Sequence, residues 1–463
     1  MLSARDRMLA ALFAFQLVVA AVLGGYLVNA LGKDDRRAVA VQQAPGTVVP
    51  TAAGATSAPT AGPAATAPAG SPGTGGHTVT TVTGPGGNTA VTPGKADSTK
   101  IAPGAPIKIG AVVTQTGAIN FASSAQATKA YFDRVNRAGG INGHRIELDL
   151  RDDQLDSSRG RQQAQQMLAE GVFAFVGWNA PVSENTITSF LEQNKIPLIG
   201  AYGTQAEYHS PYAYAFSASY GHYGFQMGSY LAEQGVKKPG LVYINNNNAK
   251  ADADLVAAFK AGFKSKGVTL SDSDVVSEDV THASYDDVVT QFRLDGVDGF
   301  ASLLDQTAYN RLLQAQDRQA YHPKHAADSL FLDPSVAQSS STDGVFVATD
   351  YDFIEGGGAP VQDYVSTVKA AYGSKAEINY FGQQGWVDAI AFVQALKAMG
   401  SNITRANLLA VMDKLDGKGG FGFTSDLAFG SGVRDLNRCI KFGKMVSGHV
   451  TRVTDWRCDG QPF

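Results

Sequence analysis

Cysteine is almost absent from the 463-residue sequence, because Cys439 and Cys458 are the only two and both lie near its end. They form no CxxC pair and have no His at metal-ligand spacing, so a disulfide is the expected use rather than a metal site. Basic residues are also sparse: residues 101–463 carry 31 Lys or Arg against 38 Asp or Glu. This mildly acidic balance argues against a nucleic-acid partner, which requires basic surfaces.

The motifs of several enzyme classes are missing as well. The sequence has no GxSxG elbow, no P-loop, no HExxH and no GxGxxG that opens a helix. The glycine cluster 417–422 follows a helical pattern and predicts a flexible turn, and HPKH at 322–325 predicts a surface loop rather than a metal site. We therefore expect that the protein is not an enzyme and that it has no catalytic residue, no metal and no cofactor.

Two N-terminal segments lack what a folded domain needs. Residues 9–31 contain no charge over 23 positions, which is long enough to span a bilayer. We expect an uncleaved anchor in residues 1–37, with a cleaved signal peptide as the alternative. Residues 38–105 contain no aromatic residue and no Leu, so they predict a disordered linker rich in Ala, Thr, Pro and Gly.

Residues 107–153 show a change of apolar periodicity that is typical of a βαβ unit. IKIGAVV is a β-branched run, Ala127, Ala130, Tyr131, Phe132 and Val135 recur at helical spacing, and RIELDLRDD alternates. Gly139 and Gly140 are expected to end the helix. In such units ligands gather beyond the carboxyl ends of the parallel strands, which places residues 114–121 at a candidate site.

This region resembles the type I periplasmic substrate-binding proteins, the branched-chain amino-acid-binding family of ABC transporters. The resemblance rests on the TGA loop at 116–118, on NRAGGINGHRIEL at 136–148 and on DDQLDSSRGRQQAQQML at 152–168. The order of later elements extends it to about Val446. It implies an α/β fold of two doubly wound parallel-sheet lobes joined by three hinge crossings.

The pattern of elements predicts where each lobe begins and ends. Lobe 1 is expected to comprise 106–218 and 348–423, and lobe 2 to comprise 219–347 and 424–463, with the third crossing near Phe423. Within lobe 2, the runs VTL (268–270), GFASLL (299–304) and SLFL (329–332) predict strands. RCIKFGKMVSGHVTRVTDWRC at its end alternates around Ser447-Gly448 and predicts a β-hairpin.

Loops that follow predicted strands supply the candidate ligand-binding residues of lobe 1. They are Phe121 after the first strand, Trp178, Asn179 and Ala180 after the third, and Tyr202 and Thr204 after the fourth. The resemblance implies that an aromatic at Phe121 closes over the ligand, while the Thr204 hydroxyl and loop N–H groups hold its charged end. Trp178 and Tyr202 have an alternative role in packing under the loops.

Tyr220 and Asp305 complete the candidate set from the hinge and from lobe 2. Asp305 stands where the family has a Tyr, and Tyr220 falls near the hinge where the family has a charged residue. Asp305 precedes a helical pattern, so capping that helix is its alternative role, and Tyr220 has packing as its alternative. Pro181 replaces a Ser hydroxyl of the family. These departures leave the identity of the solute open.

The predicted hairpin also places the two cysteines near each other. A turn at Ser447-Gly448 pairs positions whose numbers sum to about 895, and Cys439 and Cys458 sum to 897. We therefore predict that they are joined.

Together these patterns predict an extracytoplasmic protein, fixed to the cell membrane by its N-terminal helix or secreted if that helix is cleaved. It is expected to bind a small amphipathic solute, amino-acid-like or an aromatic acid or amide, and to pass it to an ABC permease. A membrane-tethered sensor ectodomain of the same fold is the alternative, and an enzyme is the less favoured one.

Overall fold

The computed structural model describes residues 100–117, 119–203, 205–245, 249–336, 340–430 and 432–458, without the side chains of residues 185, 205 and 340. The predicted anchor and nearly all of the predicted linker lie outside these residues. Within them, no helix is both long and apolar enough to cross a membrane. The described residues belong to a single compact unit.

Lobe 1 is built on a parallel sheet of five strands in the order β2-β1-β3-β4-β5. The strands are β1 (Ile107–Val112), β2 (Ile146–Arg151), β3 (Ala174–Trp178), β4 (Leu198–Ala201) and β5 (Ala213–Tyr214). Among the described residues, seven α-helices belong to it: α1 (Ala122–Arg137), α2 (Ser157–Ala169), α3 (Pro181–Gln193), α4 (Gln205–His209), α9 (Ala359–Tyr372), α10 (Tyr380–Met399) and α11 (Arg405–Met412).

Lobe 2 is built on a seven-stranded sheet in the order β12-β11-β10-β9-β8-β6-β7. Its strands are β6 (Pro239–Ile244), β7 (Val275–Glu278), β8 (Gly299–Leu303), β9 (Lys324–Ala327), β10 (Phe346–Thr349), β11 (Lys441–Val446) and β12 (His449–Arg452). Its helices are α5 (Tyr220–Glu233), α6 (Ala249–Lys264), α7 (Asp286–Asp295) and α8 (Gln306–Gln319). Because β11 pairs antiparallel with β10 and β12, this sheet is mixed rather than parallel throughout.

Each sheet has an apolar core on both faces, as expected for strands buried between helices. One face of the lobe 1 sheet packs against α1, α9, α10 and α11, and the other packs against α2 and α3. In lobe 2, one face packs against α5 and α6 and the other against α7 and α8. The two-lobed α/β architecture expected from the sequence is therefore present.

Local sequence signals explain where the early elements begin and end. Gly139 and Gly140 both have positive φ, and the Gly140 N–H donates to the Val135 carbonyl at 3.0 Å just beyond the end of α1. Asp156 begins α2 by accepting the N–H groups of Ser158 and Arg159. These elements lie where their sequence patterns predict them.

Two predicted strands of lobe 2 were wrong. Residues 268–270 form no strand. The edge strand next to β6 is β7, which begins a few residues later. The run SLFL forms a single turn of 3₁₀ helix (Ser329–Leu332), while β9 is the preceding Lys324–Ala327. Apolar runs of three or four residues do not distinguish a strand from a helical turn.

Three crossings connect the lobes, at residues 216–218, at Asp350 and at Asn437. The third crossing lies later than predicted. Leu427 and Leu436 still pack in the lobe 1 core, and Ile440 is the first residue after them that packs in the lobe 2 core. The Asn437 amide Nδ2 donates to the Phe216 carbonyl and to the Asp350 carbonyl, each at 3.1 Å. One side chain thus ties all three crossings together.

The C-terminal hairpin and the disulfide are confirmed. β11 and β12 pair with numbers that sum to 895, as in Gly443 with Arg452, around the turn at Ser447-Gly448. Beyond the strands, Ile440 bridges Arg457 in a register shifted by two, and Cys439 is bonded to Cys458 beside it.

Candidate functional site

A cavity between the lobes, next to the first two crossings, is the candidate site. It encloses about 440 Å³ of empty space, part of which is open to solvent. Lobe 1 lines it with Tyr202, Gly203, Tyr380 and Phe381, and the first crossing lines it with Ser217 and Ala218. Lobe 2 contributes Tyr220, Tyr223, Leu303, Asp328, Ser329 and Leu330.

Two buried carboxyl groups hold the lobe 1 loop that follows β4. Glu184, on α3, accepts the N–H of Tyr202 at 3.0 Å, and Glu207, on α4, accepts the N–H of Gly203 at 3.0 Å. Burial raises the pKa of Glu184 well above its usual value, and the charge of Glu207 raises it further. The protein's own acids therefore occupy the N–H donors of this loop.

Aromatic rings form the lobe 1 wall of the cavity. Phe381, near the start of α10, lies roughly parallel to Tyr202 with ring centroids 6.1 Å apart, and Tyr380 meets Phe381 edge-on at 5.2 Å. Behind them Phe121 is buried, with its ring centroid 4.4 Å from that of Phe381 and 5.6 Å from that of Tyr202. This packing fixes the orientation of the rings that reach the cavity.

A pair of tyrosine hydroxyls connects the lobes across the cavity. Tyr220 is the first residue of α5, and its hydroxyl lies 3.2 Å from the hydroxyl of Tyr202. Burial raises the pKa of Tyr220 to about 12, so both hydroxyls stay protonated at neutral pH. The pair marks how closely the two lobes approach in this structure.

Asp328, which follows β9, is the carboxyl group that lines the cavity from lobe 2. Its Oδ1 accepts from the Tyr309 hydroxyl at 2.9 Å and from the Leu330 N–H at 3.1 Å. No described residue donates a hydrogen bond to its Oδ2, the oxygen left for a ligand. Burial raises the pKa of Asp328 to about 7, and the charges of Asp350 and Asp305 also raise it.

Asp350 is a second buried acid, located at the second crossing behind the cavity wall. It accepts the Ala218 N–H at 2.6 Å and the Tyr223 hydroxyl at 2.7 Å. Burial raises its pKa to about 6, although these hydrogen bonds act in the opposite direction. Asp350 thus connects the hinge to two residues that line the cavity.

Comparison with known proteins identifies the fold family. The family model of the periplasmic binding proteins matches residues 106–449. The chain belongs to this family. No curated protein matches the sequence.

Solved structures of periplasmic binding proteins share the fold. A fatty acid ABC transporter substrate-binding protein from Thermomonospora curvata matches with a TM-score of 0.66 at 18% identity, over 77% of this chain and 94% of that one. A solute-binding protein of an ABC transporter from R. palustris, solved with benzoate, gives 0.64 at 16% identity, over 76% and 98%. A branched-chain amino acid transporter substrate-binding protein from Streptococcus pneumoniae, solved with isoleucine, gives 0.62 at 15%, over 74% and 97%.

The membership confirms the resemblance and the expected class of protein. This family and its structural neighbours are substrate-binding proteins, so the chain is a binding protein rather than an enzyme. Because the sequence identities are below one in five, the similarity to these neighbours shows the fold alone. The ligands in their names are ligands of those proteins.

Three of the predicted ligand-binding residues come together in this periplasmic binding protein. Tyr202 and Tyr220 line the cavity, and Phe121 lies directly behind Tyr202. Thr204 lies outside the described residues, so its expected hydroxyl contact stays a prediction.

Trp178, Asn179 and Ala180 are fully buried in lobe 1 and do not line the cavity. Trp178 packs against Phe175 with ring centroids 5.3 Å apart, in the core on the α2 and α3 face. Simple strand alternation would place position 178 on the opposite face, with Ala174 and Val176. Gly177, with φ of 74°, changes that alternation.

The two residues after Trp178 have structural partners in lobe 1. The Asn179 amide donates to the Ser124 hydroxyl at 2.8 Å, and the Ala180 N–H lies 3.4 Å from the Glu184 carboxyl. These contacts tie the loop after β3 to α1 and α3.

Asp305 takes the capping role that its sequence position left open. It precedes α8, and its Oδ1 accepts the N–H groups of Thr307 and Ala308 at 2.8 and 3.0 Å. It does not line the cavity. Asp328 is the lobe 2 carboxyl group that does.

Four residues that line the cavity were not predicted from the sequence, namely Asp328, Tyr223, Tyr380 and Phe381. For Asp328 the signal existed: β9 ends at Ala327, so Asp328 is the residue at a strand's carboxyl end. Because SLFL was predicted as the strand, its expected carboxyl end lay before Asp333 instead. Tyr380 and Phe381 begin a helix that arrives from the second half of lobe 1, and no local pattern links them to the cavity.

His325 and a surface cluster are the remaining candidates for metal ligands. His325 is in β9 rather than in a surface loop; burial lowers its pKa to about 3, and it hydrogen-bonds Ser302 at 2.6 Å. On the lobe 2 surface, Glu278, His282 and Asp287 lie close enough to share an ion, but His282 already contacts both carboxylates, at 2.9 and 3.4 Å. Neither feature reaches the cavity.

Proposed function

We propose that the protein captures one small amphipathic solute between its lobes, outside the cytoplasm, and delivers it to an ABC permease. The observation that carries this proposal is the cavity, which both lobes and the first crossing line. Five of the twelve described residues that line it are aromatic, and a few polar groups, namely Asp328, Ser217 and the tyrosine hydroxyls, can orient a ligand. Amino-acid-like compounds and aromatic acids or amides are the classes expected from the sequence, and the ligand screen compares them with amines and sugars.

The hinge supports a mechanism in which the lobes close over the solute. Asn437 and Asp350 hold the three crossings together, so bending there would move each lobe as a body. Tyr202 and Tyr220 would then approach or separate as the cleft closes or opens. The solute would leave unchanged, because its capture uses hydrogen bonds and ring contacts alone.

A ligand screen on the full-length protein tests the capture step. Amino acids, amines, aromatic acids, amides and sugars are tested by thermal shift, and hits are measured by calorimetry. A ligand at 100 times its Kd should add about 2.7 kcal/mol to the free energy of unfolding. We expect one solute class to bind at a stoichiometry of one, with a smaller radius of gyration in solution scattering.

Two leucines of lobe 2 provide a matched pair of variants for this screen. Leu303→Trp fills the cavity and should abolish binding, because Leu303 lines it. Leu294→Trp places the same ring on the surface, where Leu294 is 78% exposed, and should bind as the parent does. Equal binding by both variants would place the solute elsewhere.

We propose further that residues 1–37 anchor the protein to the cell membrane and that residues 38–105 form a flexible tether. The support is the uncharged 23-residue run and the absence of aromatics and Leu from the segment that follows. Fractionation of cells that express the full chain tests the anchor. Mature protein recovered as soluble, with an N-terminus between residues 25 and 39, would indicate a cleaved signal peptide. A cross-linking experiment in cells distinguishes transport from sensing. Cross-links to a permease would support transport, and cross-links to a signalling protein would support sensing.

A further inference from the structure

The polar surroundings of the cavity have one sign of charge. Among the described residues that line it, none is Lys, Arg or His, and Asp328 is an acid. Glu184, Glu207 and Asp350 lie directly behind the wall, each bonded to the backbone of a lining residue. A ligand in this cavity therefore faces carboxyl groups from both lobes and from the hinge.

Three backbone donors at the cavity wall are already in use. The N–H groups of Tyr202, Gly203 and Ala218 point to Glu184, Glu207 and Asp350 at 3.0, 3.0 and 2.6 Å. A solute carboxylate would have to compete with these internal acids for the same donors. It would also lie within reach of the Asp328 charge, without a cation to compensate it.

The walls are suited to a cation instead. Five aromatic rings, those of Tyr202, Tyr220, Tyr223, Tyr380 and Phe381, line a single cavity with the carboxyl group of Asp328. Ring faces attract a positive charge within about 6 Å of the ring centroid, and the attraction grows when the site is shielded from water. The free Oδ2 of Asp328 supplies the opposite charge.

We propose that this cavity selects a small organic cation, a protonated amine or a quaternary ammonium compound, and rejects carboxylates. The inference rests on the proposed capture of a solute in this cavity and names the class of that solute. The aromatic rings surround the cationic head, and Asp328 pairs with it. Zwitterionic amino acids and aromatic acids should bind much more weakly, because the internal acids occupy the N–H groups of Tyr202, Gly203 and Ala218 that could hold their carboxylate.

The direct test is calorimetry on the full-length protein with four probes of similar size: choline, benzylamine, benzyl alcohol and benzoate. We expect choline or benzylamine to bind at least tenfold more tightly than benzyl alcohol, and benzoate not to bind. Benzoate binding as tightly as benzylamine would overturn the inference and leave the proposed capture intact. Failure of every probe, and of every compound in the wider screen, would overturn both.

Variants at Asp328 and Tyr220 separate the two kinds of contact. Asp328→Asn should weaken binding of the cationic probe at least tenfold, whereas Asp156→Asn, at a capping Asp on α2, should not change it. Tyr220→Phe keeps the ring and should retain binding, and Tyr220→Leu should lose it. If Asp328→Asn does not fold, the comparison of Tyr220→Phe with Tyr220→Leu still tests the proposal. Unchanged affinity in both Asp328→Asn and Tyr220→Leu would overturn the proposal.

The pH dependence gives a third readout, for which choline is the probe because its charge is permanent. With its pKa at about 7, Asp328 loses its charge as the pH falls, so choline affinity should drop about tenfold from pH 8 to pH 6. The groups facing Asp328 are Tyr309, Asp305, Asp350, Tyr202, Tyr220 and Tyr223. Affinity that does not change over this range, in a protein that binds choline, would show that Asp328 is not its partner.

Discussion

At the scale of single residues, two strand-end glycines determine which side chains pack at the ends of β3 and β4. Gly177 and Gly200 lie near the ends of the neighbouring strands β3 and β4, and both have φ of 74°. The first turns Trp178 into the core on the α2 and α3 face; packing was its alternative role from the sequence, but simple alternation would place it on the other face. The second leaves room for Asp388 of α10, since a Cβ at position 200 would lie 1.9 Å from the Asp388 carboxyl carbon.

We predict that Gly200→Ala destabilises the protein by clearly more than Gly296→Ala. Both positions have positive φ, which costs an ordinary residue roughly 1–2 kcal/mol. At Gly296 an added Cβ meets nothing within 4 Å, so only that cost applies. At Gly200 the methyl group also displaces Asp388 and the helix that carries it.

Urea unfolding of the two variants and the parent measures this difference. The expected result is a loss of about 1–2 kcal/mol for Gly296→Ala and several kcal/mol for Gly200→Ala. Equal losses would mean that Asp388 can move aside at no cost.

The residue scale also explains why the ligand-binding residues were predicted only in part. Tyr202 and Tyr220 line the cavity as expected, since a loop after a strand and the start of a helix near the hinge are visible in the sequence. The carboxyl groups that occupy the loop donors were not predicted. Glu184 and Glu207 look like ordinary helix residues in sequence, and their contacts depend on how α3 and α4 approach the loop.

At the scale of elements, a long amphipathic helix was predicted and two short strands of lobe 2 were not. Helix α1 lies where the apolar periodicity from Ala127 to Val135 places it. The strands β7 and β9 have four residues each and carry Ser, Glu, Lys or His, so no run of β-branched residues marks them. Their position follows from pairing with β6 and β8, which is a tertiary contact.

We predict that Asp305 stabilises helix α8 and does not hold the ligand. Asp305→Ala should lower the free energy of unfolding by about 0.5–2 kcal/mol, because two N–H groups at the helix start lose their acceptor. Asp305→Asn should cost much less, since Asn is an equally good cap. Chemical denaturation of both variants checks this. If Asn were as damaging as Ala, the charge of Asp305 would matter and capping would not explain it.

The C-terminal hairpin carries a prediction of its own. The disulfide closes a loop with a sequence separation of 19 residues, and a loop of this size stabilises a fold by about 3 kcal/mol. Replacing both cysteines with Ser should lower the free energy of unfolding by about that amount. Unfolding of the double variant, compared with the parent in the absence of reductant, measures it. Two free thiols in parent protein from an oxidising compartment, seen by intact mass, would contradict the bond.

At the scale of the whole molecule, hydrogen-bonded side chains join the lobes at the hinge, and buried acids lie near it. Asn437 links the three crossings, and Asp350 links the hinge to Ala218 and Tyr223. The three-crossing architecture was predictable from the order of elements. The exact place of the third crossing was not, because residues 424–436 contribute Leu427 and Leu436 to a core formed by distant segments.

These buried acids predict how stability depends on pH. Burial raises the pKa of Asp328 to about 7 and of Asp350 to about 6, and raises the pKa of Asp388 and Glu184 as well. An acid with a raised pKa in the folded state stabilises the fold when protonated, and this contribution is lost as the pH rises through the folded pKa. The ligand-free protein should therefore become less stable from neutral to mildly alkaline pH.

Asp328, with a smaller part from Asp350, should lower the free energy of unfolding by about 1 kcal/mol between pH 6.5 and pH 8, and Asp388 and Glu184 should act in the same direction. His325, whose pKa is lowered to about 3, opposes this fall by only about 0.4 kcal/mol, because most of its effect lies below the usual His value near 6.5. Urea titrations at several pH values measure the slope. Asp328→Asn should flatten it, whereas Asp156→Asn should leave it unchanged. If the stability of the parent protein rose over this range, Asp328 would be ionised throughout. Its surroundings would then stabilise its charge enough to offset the effect of burial.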